Sequence, residues 1–576
     1  MPTLQRVPDA PTDQRRNVER WKRPYTQPVE RAALDILRSD IVGRHASIHT
    51  PFGERRLVYA DYIASGRALH SVEAAITERV LPHYANTHTE DSATGAAMTR
   101  LMHAADLRVK ELLGAGPQHK LLWCGTGSTA AIKRLQEMLG VALPSSLRTR
   151  VLATLEPNER PVVFVGPYEH HSNEVTWRET LSEVVEIPLC PAGQCDLVAL
   201  EAALCDPQWS GRRKIGSFSA ASNVTGICSD TRAIARLLHA HDARACFDFA
   251  ASAPYVDIDM RPGETDGYDA IFISAHKFIG GPGSPGLLLF DEAMYTLVAP
   301  STAGGGTVAY VSSDRHRFVD DIEAREDAGT PAIVQRIRAA LAFEVKERIG
   351  VASIACREEQ LLGTALERLR ADTRVELLGD VDAPRLAVLS FLLRPHADGP
   401  ILHPRLVVRL LNDLFGIQAR GGCACAGPYG HRLLQIGRDL SDRYMDEIEA
   451  GHEGVKPGWT RVSLHYTLTD EELAFIVDAI AWIAANGEAL VGSYALDWDT
   501  GAWTHSDDEV TAVRFGELLD MHSGPTSASE NGDEIDDNYF VDTVAEANRI
   551  VAGLAPRAAP RKVPHGIPSD LVFFLR

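Results

Sequence analysis

The amino-acid sequence predicts an α/β protein in which a mostly parallel β-sheet forms the centre of the larger domain. From Leu121 to Phe290, short apolar stretches typical of buried strands alternate with stretches of helical spacing, which is the pattern of βα units. Motifs rich in glycine, serine and threonine follow several of these strands. Because the carboxyl ends of parallel strands meet at one edge of a sheet, we expect these motifs to form a single site there.

The chain has 576 residues, which is too long for one hydrophobic core and predicts two or three structural units. We expect an N-terminal arm and helix over residues 1–50 and a large domain over 51–325. A smaller α+β domain is expected over 326–490, followed by an acidic C-terminal extension over 491–576. Residues 507–537 of this extension are acidic and rich in serine and glycine, a composition typical of a solvated linker.

Composition argues against several classes of function. The formal net charge is −20 and no basic run is present, which argues against a nucleic-acid partner. There is no uninterrupted apolar stretch of about 18 residues, so no membrane span is expected. The polar start of the chain does not resemble a secretory signal, and the nine cysteines, mostly isolated, do not form a disulfide framework. We therefore expect a cytoplasmic protein.

A lysine follows the apolar strand that precedes the Gly- and Pro-rich turn of residues 280–286. The strand ends at Ser274, and His276 and Lys277 come directly after it. Burial at such a point lowers the pKa of an amine and makes it nucleophilic near neutral pH. This chemistry suits a Schiff base with a carbonyl cofactor, most commonly pyridoxal phosphate (PLP). On the dipeptide alone, an exposed lysine after a strand is the more frequent interpretation.

Two further strand ends offer polar groups to a cofactor. Asp248 closes an apolar strand, where an unpaired carboxylate would be costly. Its partner is either a pyridinium N–H, which would let a cofactor ring accept electrons, or backbone N–H groups. Ser128 and Thr129 open a helix after another strand, where backbone N–H groups bind anions. An ordinary helix N-cap is the alternative for these two residues.

A pair of cysteines, Cys423 and Cys425, lies in a Gly-rich loop, where a thiol is exposed enough to react. Half of a metal site is an alternative for the pair. No second cysteine pair stands at suitable spacing, and His431 is the only additional ligand nearby. We therefore predict no metal site.

Several of these motifs together resemble a known family. The chain resembles the fold-type I PLP enzymes of aminotransferase class V, and within them the cysteine desulfurase and selenocysteine lyase group. The likeness covers residues 55–485 and lies in seven or eight motifs in the family's order, among them Gly125-Thr-Gly-Ser-Thr129, Glu169-His170, Ser222-Asn223-Val-Thr-Gly226, Ser274-Ala-His-Lys277, Glu326-Asp-Ala-Gly-Thr-Pro331 and Arg420-Gly-Gly-Cys-Ala-Cys425. It implies a mostly parallel, seven-stranded type of sheet in the large domain and PLP as the cofactor.

The resemblance also assigns roles to individual residues. Lys277 would carry the internal aldimine, and Asp248 would contact the ring nitrogen. The remaining cofactor-binding residues would be Ser128, Thr129, Ser274 and His276 at the phosphate, His170 stacked on the ring, Asn223 at the phenolic oxygen, and Thr330 at the phosphate of the partner subunit. His171 remains an alternative to His170.

The same resemblance implies a substrate site, a reaction and partners. Arg461 would clamp the α-carboxylate of a small amino-acid substrate, and His88 lies in a loop that approaches the site. Cys425 would take sulfur from L-cysteine, or selenium from selenocysteine, as a persulfide and leave alanine. A homodimer and a sulfur-acceptor protein are expected as partners.

The chain departs from the desulfurase pattern at two points. Ala251 stands three residues after Asp248, where most desulfurases carry glutamine. The Cys-x-Cys form of the later loop is similar to molybdenum cofactor sulfurases, as is a small residue at position 251. Another class V activity (aminotransferase, epimerase or β-lyase) and a molybdenum-cofactor-sulfurase-like activity therefore stay open. A non-catalytic sulfur-relay protein is disfavoured because Lys277 and Asp248 are present.

Overall fold

The computed structural model describes residues 31–508 apart from 88 and 90, and residues 538–554, 562–564 and 566–576. Residues 1–30 of the predicted N-terminal arm and helix, the site candidate His88 and most of the predicted acidic linker lie outside the described residues.

Helices and strands alternate along most of the described chain. The α-helices are α1 (Arg31–Ser39), α2 (His70–Ala74), α3 (Ala93–Leu112), α4 (Gly127–Met138), α5 (Ser145–Leu152), α6 (His171–Arg178), α7 (Leu197–Leu204), α8 (Thr231–Ala240), α9 (Ile322–Arg325), α10 (Ile333–Ile349), α11 (Val351–Arg370), α12 (Pro404–Phe415), α13 (Gly427–Leu433), α14 (Arg438–Glu449), α15 (Asp470–Leu490) and α16 (Tyr539–Ala552). The strands are β1 (Ser47–Thr50), β2 (Gly53–Arg56), β3 (Val58–Tyr59), β4 (His119–Cys124), β5 (Val162–Val165), β6 (Glu183–Glu186), β7 (Lys214–Ser219), β8 (Ala243–Asp248), β9 (Ala270–Ser274), β10 (Gly286–Asp291), β11 (Val308–Val311), β12 (His316–Phe318), β13 (Val375–Leu377), β14 (Val388–Leu393), β15 (Ile417–Gln418), β16 (Arg420–Gly422), β17 (Trp459–Ser463), β18 (Tyr494–Leu496) and β19 (Trp503–His505).

A seven-stranded sheet forms the centre of the larger unit, with strand order β4-β10-β9-β8-β7-β5-β6. Strands β5 to β9 pair in parallel, and β10 runs antiparallel to both of its neighbours. Successive residues of β9 point to opposite faces, where Ile271 and Ile273 belong to one buried apolar cluster and Ala270 and Phe272 to another. Strands buried on both faces read as continuous apolar runs. The predicted α/β class and mostly parallel sheet are confirmed.

A four-stranded antiparallel sheet, in the order β13-β14-β17-β16, forms the centre of a smaller unit. Helices α11, α12 and α15 contribute to its apolar core. Strand β15 pairs in parallel with β3, so a segment at the start of the larger unit is hydrogen-bonded to the smaller one. The domain boundaries given above stay a prediction.

One helical segment of the described residues, Asp470–Ser493, is long and apolar enough to cross a membrane. Most of its apolar side chains are buried, and it packs against α11, α12 and α16. The helix begins with a capping box in which Thr469 and Glu472 exchange hydrogen bonds. We interpret it as a core helix of the smaller unit.

The described part of the C-terminal extension packs on the smaller unit. Strands β18 and β19 form a hairpin, and α16 packs against α15. Phe574 pairs with Ile401 through a single parallel bridge, so this segment docks on the smaller unit without forming a regular strand.

Candidate active site

The carboxyl ends of the parallel strands open into a cavity of about 600 Å³. Its wall contains the residues Ser128, Thr129, His170, Asn223, Asp248, Ser274, His276 and Lys277. These eight predicted site residues come from segments up to 149 positions apart in the chain (128 to 277) and meet because strands β4, β5, β7, β8 and β9 end at the same edge of the sheet. The sequence prediction that the motifs form one site at this edge therefore matches their placement.

One end of the cavity is a cradle at the start of α4. The backbone N–H of Ser128 donates to Ser274 Oγ at 2.9 Å, and the two serine hydroxyls lie 3.3 Å apart. Gly127 has a φ of +58°, and a Cβ there would lie 2.9 Å from Ser274 Oγ, so the turn requires glycine. Thr129 Oγ1 lies 2.6 Å from Ser172 Oγ. Hydroxyls and a helix N-terminus converging in this way suit an anion such as a phosphate.

Lys277 and Asp248 both lie in the cavity wall, and their charges interact. Lys277 ends the short helical turn Ala275–Lys277 that follows β9. Burial lowers its pKa to about 8, and the attraction of Asp248 opposes this effect. Burial raises the pKa of Asp248, while a 2.9 Å hydrogen bond from the Ala250 N–H and the charge of Lys277 act against the increase. The lysine is thus close to the protonation balance that a nucleophile or general base needs.

Two histidines of the wall are neutral at physiological pH. Burial, followed by the charge of Lys277, lowers the pKa of His170 to about 4 and that of His276 to about 4. The Nδ1 of His170 accepts a 3.1 Å hydrogen bond from the Ser172 N–H, which caps α6. This bond fixes the imidazole and leaves its proton on Nε2. His171, the alternative candidate, is not part of the cavity wall and contacts the loop of Cys425 instead.

Glu169 was not among the predicted site residues. Its side chain joins the ends of strands β5 and β7. Its carboxylate accepts hydrogen bonds from the N–H groups of Gly166 and Ser219, the Ser219 hydroxyl and the Asn173 amide, at 2.6–3.0 Å. Burial raises its pKa to about 7 against these hydrogen bonds. A Glu four residues after the apolar strand β5 and next to His170 was the available sequence signal.

Asn223 lies between the cavity and the cysteine loop. Its Nδ2 donates to the Ala424 oxygen at 2.7 Å, while its Oδ1 is buried and has no hydrogen-bond partner among the described residues. Cys425 is exposed and Cys423 is partly buried. Cys425 does not belong to the cavity wall as the described residues define it, so the thiol stands outside the cavity on a loop that Asn223 holds.

Arg461 is buried on β17 and is already paired. Its guanidinium donates to Asp61 Oδ1 at 2.9 Å and to the Asn223 backbone oxygen at 2.8 Å. The other oxygen of Asp61 accepts from Arg420 Nε at 3.0 Å. Arg461 Nε is buried without a hydrogen-bond partner among the described residues. Asp61 and Arg420, which the sequence analysis did not assign to the site, therefore orient the predicted carboxylate clamp.

The remaining predictions concern residues around the cavity. Ala251, which replaces the glutamine of most desulfurases, lies in the wall. Thr330 is exposed and outside this chain's cavity wall. No group of three or more His, Cys, Asp or Glu side chains that could hold a metal occurs in the part of the chain that the structure describes.

Comparison with known proteins identifies relatives over most of the chain. The family described as aminotransferase class-V matches residues 58–475. A probable cysteine desulfurase of Staphylococcus aureus is 26% identical over 378 residues, which cover 65% of this chain and 84% of the relative. A cysteine desulfurase of Klebsiella pneumoniae is 28% identical over 376 residues, which cover 65% of this chain and 85% of the relative.

Solved structures share the fold. The apo cysteine desulfurase of Thermococcus onnurineus NA1 matches with a TM-score of 0.61 at 21% identity and covers 78% of this chain and 98% of its own. A cysteine desulfurase of Escherichia coli matches with a TM-score of 0.58 at 21% identity. The match covers 78% of this chain and 97% of the E. coli chain. The predicted fold type I architecture is thereby confirmed.

Proposed function

The chain belongs to the aminotransferase class-V family, and we propose that it is a PLP-dependent cysteine desulfurase-like enzyme. It would remove sulfur from L-cysteine, or selenium from selenocysteine, and form alanine. The observation that carries this proposal is one cavity containing Lys277, Asp248 and an anion cradle, with the loop of a reactive cysteine tied to its edge through Asn223.

The residues of the cavity fit PLP. The cradle formed by Ser128, Thr129 and Ser274 would hold the phosphate, and Asp248 would hold the ring nitrogen. Asn223 would face the phenolic oxygen, and the neutral imidazole of His170 would lie on the ring. The Asn223 Nδ2 gives one of its two N–H groups to the Ala424 oxygen, so its second N–H would donate to that phenolic oxygen. When bound, PLP supplies an aldehyde that joins to amines and a ring that accepts electrons.

Lys277 has two tasks in this proposal. Its amine would attach the aldehyde of the cofactor, and with the substrate bound it would hold and move the proton of the substrate Cα. A pKa of about 8 suits both tasks, because the amine can accept and return a proton near neutral pH.

Arg461 would bind the α-carboxylate of the substrate. Its guanidinium is oriented by Asp61 and by the Asn223 backbone oxygen, and its Nε is without a hydrogen-bond partner among the described residues. A planar guanidinium held at two nitrogens presents its remaining donors in a fixed direction. The carboxylate would then anchor the amino acid with its Cα beside Lys277.

Cys425 would receive the sulfur. Its thiolate attacks the substrate sulfur, an S–S bond forms and the Cβ–S bond breaks with its electron pair staying on the substrate carbon. That carbon takes a proton to become the methyl group of alanine, and Cys425 is left as a persulfide. An acceptor thiol, for which we propose a partner protein, then removes the terminal sulfur.

A β-lyase-type activity that does not use Cys425 is the second candidate. It is favoured by the position of Cys425 outside the cavity wall defined by the described residues and by Ala251 within that wall. In either case we propose a homodimer, in which the exposed Thr330 reaches the phosphate of the partner subunit.

The proposal is tested by incubating the PLP-loaded protein with L-cysteine, L-selenocysteine and other β-substituted amino acids, and by measuring alanine, sulfide and selenide. With dithiothreitol present to reduce the Cys425 persulfide, alanine and sulfide in equal amounts from cysteine support a desulfurase. Pyruvate and ammonia in place of alanine would support the lyase. The absence of turnover with every sulfur and selenium substrate would contradict both.

A further inference from the structure

His171 contacts the cysteine loop at two points. Its backbone N–H donates to the Cys425 oxygen at 2.9 Å, and its Nε2 accepts from the Gly427 N–H at 2.9 Å. Together with the hydrogen bond from Asn223 to the Ala424 oxygen, three hydrogen bonds reach residues 424, 425 and 427 from the larger unit. The loop is therefore fixed from outside on both sides of the cysteine.

The backbone of the loop needs such support. Ala424 and Cys425 have φ values of +46° and +55°, a left-handed conformation that L-residues with a side chain rarely adopt because the Cβ approaches a carbonyl oxygen. The local hydrogen bond from the Ala426 N–H to the Cys423 oxygen is 3.2 Å long. Two consecutive residues in this region persist only where surrounding contacts compensate for the strain, and those contacts come from His171 and Asn223.

The start of α6 links the loop to the cavity. His170 precedes this helix, caps it through Nδ1 and forms part of the cavity wall. His171 is the next residue and contacts the cysteine loop. The two rings lie 6.3 Å apart between centroids, with their planes at 49°. Adjacent residues of one helix start thus place one imidazole in the cofactor cavity and the other on the loop of the nucleophile.

The chemistry of the His171 ring agrees with this role. Nε2 can accept from Gly427 only when it carries no proton. Burial, with smaller effects of the Arg178 and Lys456 charges, lowers the pKa of His171, so the ring is neutral at physiological pH and the acceptor is available.

We propose that His171 is a positioning residue that holds the left-handed turn of Cys425 against the start of α6, so that the thiol is presented to a substrate bound at Lys277. This inference rests on the proposed function, since it concerns the sulfur-accepting step. It assigns His171 to the loop and not to the cofactor, and it predicts that sulfur transfer depends on His171 while cofactor binding does not.

The experiment compares His171→Leu and His171→Asn with His171→Gln. Leucine removes the acceptor, the amide of asparagine is too short to reach Gly427, and the Oε1 of glutamine comes close to the position of the imidazole Nε2. His396→Leu is the matched control, because His396 is exposed and pairs with Glu488 on the smaller unit. For each PLP-loaded protein, the visible spectrum, amide hydrogen exchange of residues 423–430, and single-turnover sulfur transfer from L-cysteine to Cys425 are measured.

We expect His171→Leu and His171→Asn to exchange the amides of this loop about five- to tenfold faster, as the loss of one hydrogen bond allows, and to slow sulfur transfer by a similar factor. Their cofactor spectrum and their spectral response to L-cysteine stay like those of the unchanged protein. His171→Gln and His396→Leu keep both the protection and the rate.

The proposal is overturned if loop exchange and sulfur transfer are unchanged in both His171→Leu and His171→Asn. It is equally overturned if His171→Gln is as impaired as His171→Leu, or if the cofactor band is lost together with the rate. A different result separates this inference from the proposed function. If the unchanged protein transfers no sulfur to Cys425 but His171→Leu still speeds amide exchange of the loop, the proposed function is wrong while His171 is still shown to hold the loop.

Discussion

The side-chain amide of Asn223 donates a hydrogen bond of 2.7 Å to the backbone oxygen of Ala424. The two residues are 201 positions apart and belong to different units of the fold. The backbone oxygen of the same asparagine accepts from Arg461 at 2.8 Å. Asn223 therefore connects the cofactor cavity, the predicted carboxylate clamp and the cysteine loop. The proposed reaction needs these three parts in a fixed arrangement.

The two loop cysteines are expected to differ in function. Cys425 is exposed and carries the strained backbone, whereas Cys423 packs against the apolar core of the smaller unit. We predict that Cys425→Ala stops alanine formation from L-cysteine and leaves the visible spectrum unchanged, while Cys423→Ala retains most activity. Alanine assays and mass spectrometry of the loop persulfide check this. Turnover that persists in Cys425→Ala with pyruvate and ammonia as products would favour the β-lyase, and persistent alanine formation would contradict the role of Cys425.

Asp61 stabilises a buried guanidinium, so its charge is expected to matter for stability. Asp61→Asn keeps the size of the side chain but leaves Arg461 without its counter-charge in a buried position. Breaking a buried pair in this way costs about 3 kcal/mol in the free energy of unfolding, measured by urea titration. Asp320→Asn is the control, because both side chains of the Asp320–Arg317 pair are exposed and such a pair contributes less than about 1 kcal/mol. Equal stabilities for the two variants would contradict the assignment.

Cofactor uptake by the apo-protein is expected to depend on pH through Lys277. Only the uncharged amine reacts with an aldehyde, and the pKa of Lys277 is lowered to about 8, mainly by burial. The rate of uptake should therefore rise about tenfold per pH unit below pH 8 and level off above it. Stopped-flow absorbance measures this rate. A rate that still rises steeply beyond pH 9 would show that the lysine has its ordinary pKa.

Glu169 is expected to be a structural residue of the site. Glutamine in its place would present an NH₂ group to partners that are mostly donors, so at least one buried donor would lose its acceptor. Such a loss costs about 1–3 kcal/mol in the free energy of unfolding. Thermal unfolding of Glu169→Gln should show this decrease, whereas Glu111→Gln, on the surface of α3, should leave the stability within about 0.5 kcal/mol of its starting value.

Sequence patterns were sufficient to predict the sheet and to group the residues at its edge. Each strand that ends in the cavity is an apolar run followed by small or polar residues, and parallel pairing brings such ends together whatever their separation in the chain. For this reason Ser128, His170, Asp248 and Lys277 could be grouped before their positions were known.

The contacts between the two units could not be predicted from these sequence patterns. Nothing local in the sequence indicates that Asp61 pairs with both Arg461 and Arg420, which are 400 and 359 positions away. The choice between His170 and His171 also required the structure, because both follow the same strand and only the capped start of α6 sends one ring into the cavity and the other to the cysteine loop.

The central claim is that Lys277 binds PLP in this cavity, and the most direct measurement is the visible absorbance of the purified protein before and after PLP is added. We predict a visible band that shifts with L-cysteine, that borohydride fixes to the peptide containing Lys277, and that is absent from Lys277→Ala. No band after PLP is added, or an equal band in Lys277→Ala, would contradict it.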